Sequence, residues 1–179
     1  MRRVSVVGCS GSGKTTVARA LAERLGLVHV ELDAIYHQPG WTPLPPDDFR
    51  ARTAAALDAA PDGWVACGNY SEVQGTVVWP RADTVVVLDL PKGLVMRRVV
   101  ARTLRRVVTR EELWNGNREP LSNLWRWDPE RNVIRWAWTT HGRSRARYAA
   151  AATDPAHAHL RFAFLRSPAE VDAFLDAAG

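Results

Sequence analysis

The sequence predicts an α/β fold in which a parallel sheet is covered by helices on both faces. Three observations lead there. Five short runs rich in β-branched residues recur along the chain: RRVSVV (2–7), LVHVEL (27–32), WVAC (64–67), DTVVVLDL (83–90) and HLRFAFL (159–165). Most of them are nearly continuous in apolar character, as strands buried on both faces are. Between them lie stretches with helical periodicity.

In chain order, the first strand is followed by KTTVARALAERLG, where Val17, Leu21 and Leu25 recur every four residues and Gly26 supplies a stop. After the second strand, a helix is expected in PPDDFRARTAAALDAA, with Pro46 suited to a first turn and Asp47 and Asp48 at the positive end of the helix dipole. Another helix is expected from about Lys92 to Arg110, and a last one from Pro168 to Ala177. Residues from about 111 to 150 break this rhythm. They hold five of the eight tryptophans and the polar segment ELWNGNREPLSN, and they read as an insertion. A helix opened by Asp128 and Pro129 is expected to lead back to the final strand. No internal repeat or low-complexity linker is seen, so one domain over residues 1–179 is expected.

Composition narrows the functional classes. Hydrophobic residues make up 46% and charged residues 24%, which argues against long disorder. No apolar run approaches the ~20 residues that span a bilayer, and the first residues lack a cleavage-site pattern, so a cytoplasmic protein without a membrane partner is expected. Two cysteines, Cys9 and Cys67, suggest neither a zinc site nor a disulfide framework and read as reduced thiols. The net charge of +5 points to a phosphate-rich partner, either a nucleotide or a nucleic acid.

The sharpest signal is VSVVGCSGSGKTT (4–16). Gly8, Gly13, Lys14 and Thr15 match G-x-x-x-x-G-K-[ST], placed after a predicted strand and opening a predicted helix. The lysine is one of only two in a chain that carries 24 basic residues. In this P-loop pattern Gly8, Ser10, Gly11, Ser12, Gly13 and Thr16 let successive backbone N–H groups turn inward as an anion nest, and the helix start adds its own donors. Lys14 is expected to reach the β- and γ-phosphates of ATP, and the Thr15 hydroxyl to hold Mg2+.

Length, the five strands and the arginine-rich late insertion together resemble the adenylate-kinase-like P-loop kinases. The segments LDAIYHQPGW, GNYSEV, WPRADTVVVLDLP and LWNGNRE resemble a bacterial group labelled topology-modulation proteins or predicted adenylate kinases. The resemblance implies a five-stranded parallel sheet in the order 2-3-1-4-5, an acceptor-binding region at about 34–60 and a small helical lid at about 103–147. It also implies roles for arginines. Arg98 would stack on adenine and Arg102 would contact phosphate, with Arg143 and Arg145 as lid-end arginines and Arg118 and Arg135 as looser candidates. Such groups stabilise the spread charge of a phosphoryl group in transfer. After the final strand, LRSPAEV resembles the segment whose backbone reads the adenine edge, which would put Arg166 and Ser167 against the base.

The sequence departs from the adenylate kinases where the third strand ends. ACGNYS places Cys67 where those enzymes have a magnesium-organising aspartate and Ser71 where they have an arginine, and Tyr36 stands at a second arginine position. A monophosphate acceptor would forgo charge-assisted bonds of about 1.5–3 kcal/mol each. Asp33, Tyr36, His37 and Trp41 instead resemble the acceptor loop of gluconate and shikimate kinases. Asp33 is the candidate that orients an acceptor hydroxyl and accepts its proton; its alternative role is the N-cap of a short helix at DAIY. Trp41 and Tyr70 pack either a sugar or base, or the core. His37 either belongs to this pocket or starts a turn, and Asp89 either assists the metal or serves the fold.

The expected function is therefore an ATP- and Mg2+-dependent phosphotransferase acting on a small acceptor, working as a monomer or small homo-oligomer. Two alternatives stand beside it. One is a nucleotide-binding regulator or slow ATPase, which Cys67 favours. The other is a nucleic-acid binder, suggested by the arginines at 97, 98, 102, 105, 106 and 110.

Overall fold

A computed structural model of the chain describes residues 1–119 and 132–178. Its five strands are β1 (Arg3–Gly8), β2 (Val28–Glu31), β3 (Trp64–Cys67), β4 (Thr84–Leu88) and β5 (Arg161–Leu165). All pair in parallel, in the order β2-β3-β1-β4-β5. This is the expected 2-3-1-4-5 sheet. The strand ends fall one or two residues inside the expected runs at several places, because apolar character continues into residues that no longer pair.

The near-continuous apolar strands are explained by the two cores. Val4, Val6, Val65, Val86 and Leu88 pack with Leu21 and Val17 on one face, while Val7, Val85, Val87 and Ala66 pack with Phe49 and Trp79 on the other. Neighbouring residues of a strand alternate faces, and here both faces are dry. Leu21 is fully buried, which stabilises the fold by roughly 1.5–3 kcal/mol.

The helices are α1 (Lys14–Leu25), α2 (Leu32–Tyr36), α3 (Pro46–Asp58), α4 (Ser71–Val73), α5 (Lys92–Thr109), α6 (Val133–Ala151) and α7 (Pro168–Asp176). Gly26 caps α1 in the left-handed conformation, and its N–H bonds the carbonyls of the last turn. α4 continues into a wider π-turn at Gln74–Val78 and a tight 3-10 turn at Trp79–Arg81. The reason is visible in a buried polar network. Gln74 accepts from Ser5 Oγ (2.8 Å) and donates to the Gly68 carbonyl (3.1 Å), tying the turn after β3 to the centre of β1.

α6 begins at Val133, and the side chain of Asn132 accepts from the N–H groups of Ile134 and Arg135. The expected cap at Asp128 and Pro129 lies outside the described residues. α5 is one continuous helix to Thr109, so the region expected as a lid begins inside a regular helix. Its arginines do not form a single stripe. Arg97, Arg98, Arg105 and Arg110 are exposed, whereas Arg102 and Arg106 turn inward. Among the described residues no helix is long and apolar enough to cross a membrane.

Candidate active site

The carboxyl ends of the parallel strands collect the candidate residues at one edge of the sheet, where ligands of open α/β sheets bind. The P-loop follows β1. Gly11 and Gly13 have φ of +84° and +96°, angles that favour glycine. A Cβ on Gly11 would sit 2.8 Å from the Cβ of Val99, so the loop lies tight against α5. Ser12 N–H donates to the Cys9 carbonyl (3.1 Å), and Arg98 on α5 donates to the Ser12 carbonyl (3.3 Å). The Ser12 hydroxyl is buried with no hydrogen-bond partner, and no side chain caps the start of α1. Unused donors at a helix start suit an anion.

Lys14 folds back over the loop, its Nζ donating to the Cys9 carbonyl at 3.2 Å. Burial holds its pKa below the usual lysine value, while the nearby carboxylate of Asp33 acts in the opposite direction. Arg102 is an electrostatic neighbour of both. Burial lowers its pKa too, and its Nε is buried without a hydrogen-bond partner. Lys14, Asp33 and Arg102, from three separate elements, thus act on one another's charge.

Thr15 reaches a residue that sequence reasoning left inside a strand. Its hydroxyl donates to Glu31 Oε1 at 2.9 Å. Glu31 ends β2 in register with Cys67 on β3, and the Cys67 thiol lies 4.0 Å from Thr15 Oγ1. Burial, followed by the charges of Glu31 and Asp33, pushes the Cys67 thiol up to about 12. It is a neutral group at physiological pH, 3.3 Å from His29 Nε2. The carboxylate missing at position 67 is thus present one strand away. Its signal in the sequence is an acid that ends an otherwise apolar run.

Asp33 is not the cap of α2. Glu31 holds the N-cap position, and its side chain makes no capping bond. Asp33 sits inside the first turn and accepts from the Tyr70 hydroxyl at 2.7 Å. Burial and then the Asp33 charge raise the Tyr70 pKa well above the ordinary range, so the phenol stays a donor. Tyr70 also lies 3.3 Å from His37 Nε2, and its ring packs on Tyr36 and Phe49. His37 pairs in a short antiparallel ribbon of His37–Gln38 with Thr42–Pro43.

Other expected residues are held by different contacts, although Asp89 and Arg145 line a small cavity with Gly8 and Cys9 of the loop. Arg145 pairs with Asp89 (3.2 Å), which also holds Arg166 (3.6 Å), so that carboxylate anchors α6 and the end of β5. Arg143 is exposed and makes no hydrogen bond or ion pair among the described residues. Ser167 caps α7, accepting from Glu170 N–H and donating to its carboxylate, which also accepts from Arg166 N–H (2.9 Å). Arg118 pairs with Glu112 (3.5 Å) at the surface. Thr16 is exposed and Ser10 half-buried beside the loop. Arg147, which the sequence did not single out, turns inward instead. It donates to Asn69 Oδ1 (3.3 Å) beside Tyr70 and to the Tyr148 hydroxyl (2.6 Å).

Comparison with known proteins agrees with this architecture. A family model described as an AAA domain matches residues 4–65. The chain superposes over 99% of its length on an unliganded sugar kinase from Janibacter sp. HTCC2649, with a TM-score of 0.53, 23% identity and 92% of that chain covered. A shikimate kinase from Acinetobacter baumannii in complex with shikimate matches with a TM-score of 0.54 and 17% identity, covering 99% of this chain and 90% of that one. The chain shares the fold of these kinases. A gluconokinase from Sinorhizobium meliloti 1021 shares it at 20% identity, with a TM-score of 0.51 over 98% of this chain and 92% of that one. In sequence, 56 residues are 41% identical to a bifunctional pantoate ligase/cytidylate kinase from Parasynechococcus marenigrum (strain WH8102), covering 31% of this chain and 11% of that protein. The Synechococcus sp. (strain CC9902) protein of the same name is 50% identical over 38 residues, 21% of this chain and 8% of its own length. The matches span about a tenth of these relatives.

Proposed function

We propose that the chain is an ATP- and Mg2+-dependent phosphotransferase that moves the γ-phosphoryl group of ATP to a hydroxyl of a small acceptor. The observation that carries this reading is the P-loop itself, with its unpartnered Ser12 hydroxyl, Lys14 folded over it and the Thr15–Glu31 pair beside it, where the charges of Asp33 and Arg102 act on Lys14. The fold shared with sugar, shikimate and gluconate kinases supports it, as do the resemblances of LDAIYHQPGW and LWNGNRE to the adenylate-kinase-like group.

The parts divide the work. The loop N–H groups and the Ser12 hydroxyl hold phosphate oxygens, and Lys14 adds a point charge. The Thr15 hydroxyl and Glu31 carboxylate are hard oxygen donors of the kind Mg2+ takes together with substrate phosphates. A cation held there would neutralise phosphate charge. Asp33, fixed by Tyr70, accepts the proton of the acceptor hydroxyl, which leaves its oxygen free to attack phosphorus. Arg102 stabilises the charge on the moving group, and Arg98 supports the loop from outside. Residues 34–60 form the acceptor side of a single domain, and the described residues 103–119 and 132–147 of the expected lid its covering part. The free cysteines fit a reducing compartment such as the cytoplasm.

The reading is tested by incubating the protein with ATP, Mg2+ and a panel of hydroxyl compounds and following new phosphorylated mass. Transfer that disappears in Lys14→Ala supports it. ATP hydrolysis that no acceptor alters would replace it with the slow-ATPase reading.

A further inference from the structure

The segment WNGN (114–117) does not stand apart from the site. Together with Arg118 it is fastened to the acceptor loop by five hydrogen bonds. Asn115 Nδ2 donates to the carbonyls of Ala34 (3.1 Å) and His37 (2.6 Å). Asn117 Nδ2 donates to the Gln38 carbonyl (3.0 Å), while its Oδ1 accepts from Trp41 N–H (2.8 Å). The Trp41 indole N–H donates to the Arg118 carbonyl (3.0 Å). Asn117 is buried to 4% exposure, and its amide is turned wholly to this task. Trp41 is held at φ +60°, a conformation that bulky residues rarely adopt and that survives only where surroundings impose it.

The result is a corner of aromatic rings next to Asp33. His37 stacks on Trp114 with centroids 5.8 Å apart and planes at 21°. Trp41 stands edge-on to both, at 76° and 85°. The wall is continuous with the reacting group through His37, Tyr70 and Asp33. His37 and Trp114 are already a packed pair, within the ~4.5–7 Å range of touching aromatic rings, so no planar base fits between them. Trp114 already carries the His37 ring and, 6.0 Å from its centroid, the Arg106 guanidinium, so the half-buried Trp41 is the indole that offers its negative π density to the C–H bonds of a puckered ring. Around that corner stand two polar groups for hydroxyls, the Tyr70 phenol and the His37 imidazole.

We propose that Trp41 and Trp114, positioned by Asn117 and Asn115, form the acceptor-recognition wall, and that the acceptor is a ring-closed sugar or sugar acid lying with its C–H face on Trp41, its edge against the perpendicular Trp114 and one hydroxyl at Asp33. This rests on the phosphotransferase reading and names its substrate class. Trp41 and Trp114 touch the sugar; the two asparagines act through them.

The test is saturation-transfer NMR on the full chain loaded with Mg2+ and the non-hydrolysable ATP analogue AMP-PNP. The probes are common pyranoses, furanoses and uronic acids, with open-chain polyols, adenosine and cytidine as competitors; the neutral and acidic sugars distinguish the two sources of the ring. At least one ring sugar is expected to bind with its ring C–H protons saturated. Its affinity should fall about tenfold in Trp114→Ala, in Trp41→Ala and in Asn117→Ala, a factor corresponding to one aromatic contact. The Asn117→Ala loss should vanish in the Trp41→Ala background, since a positioning residue has nothing left to position. All variants should bind AMP-PNP within about twofold of the parent, which also reports that they fold. The proposal is overturned if no ring sugar binds, if a nucleoside or open-chain polyol binds in preference, or if the tryptophan variants bind as the parent does. Failure of the parent to bind AMP-PNP would remove the phosphotransferase reading and this proposal with it.

Discussion

Replacing Cys67 by aspartate restores the acid that adenylate kinases carry on their third strand, and here it should be harmful without metal. Cys67 is in register with Glu31 on the neighbouring strand, and both side chains point at Thr15. Adjacent strands lie ~4.8 Å apart. Two carboxylates at that separation repel by about 3 kcal/mol at an effective dielectric near 20. For a chain of this size each kcal/mol moves Tm by ~2–4 °C, so Cys67→Asp should melt roughly 6–12 °C lower in EDTA. Burial of the new charge adds to the loss. The measurement is thermal denaturation at pH 8, where the added carboxyl stays ionised, with EDTA or with millimolar Mg2+. Magnesium should recover at least half of the loss, because the paired carboxylates and Thr15 then share a cation, and it should leave the parent nearly unmoved. An unchanged Tm in EDTA, or a loss that Mg2+ does not relieve, would refute the placement of Glu31 beside the metal position.

Gly11→Ala should destabilise by about 2–5 kcal/mol, from the left-handed backbone and the overlap with Val99 together; urea unfolding checks it, and a change under 1 kcal/mol contradicts the tight seat of the loop on α5. Tyr70→Phe removes a bond to a carboxylate worth about 1.5–3 kcal/mol, and steady-state kinetics should show turnover falling roughly 10- to 100-fold with ATP affinity kept. Asp83 accepts from the Arg2 and Arg3 N–H groups at 2.7 and 2.9 Å. Although burial works against it, these bonds and the Thr84 hydroxyl hold its pKa below the usual aspartate value. Its contribution is present above the unfolded pKa near ~3.9 and is lost as pH falls through the lower folded value. Asp83→Asn should therefore melt below the parent at pH 7, with the two Tm values converging under acid; a gap that persists in acid would show the carboxylate charge to be irrelevant.

What the sequence disclosed depends on distance along the chain. The P-loop was legible because its glycines, lysine and threonine are consecutive, and the strands were legible because burial on both faces leaves an unbroken apolar run. Glu31 was hidden inside such a run, since its bond to Thr15 exists only when β2 returns alongside β3. The same limit applies to WNGN, whose partners lie 76–81 positions earlier. On α6 the choice among Arg143, Arg145 and Arg147 turns on helix phase. Two residues rotate a side chain by about 200°, which sends Arg145 to Asp89 and Arg147 to Asn69. Asp33 looked like a cap because acids favour helix starts, yet the helix begins two residues earlier than that cap would place it, with Glu31 at the N-cap, and leaves the Asp33 carboxylate for Tyr70.

The central claim is that the loop from Gly8 to Thr16 encloses the phosphates of ATP under Lys14. Titration calorimetry of the parent and Lys14→Ala with ATP and Mg2+ tests it most directly. The account predicts saturable heat from the parent and affinity at least tenfold weaker in the variant, with circular dichroism unchanged. Equal binding by both proteins, or no heat from the parent at millimolar ATP, would contradict it.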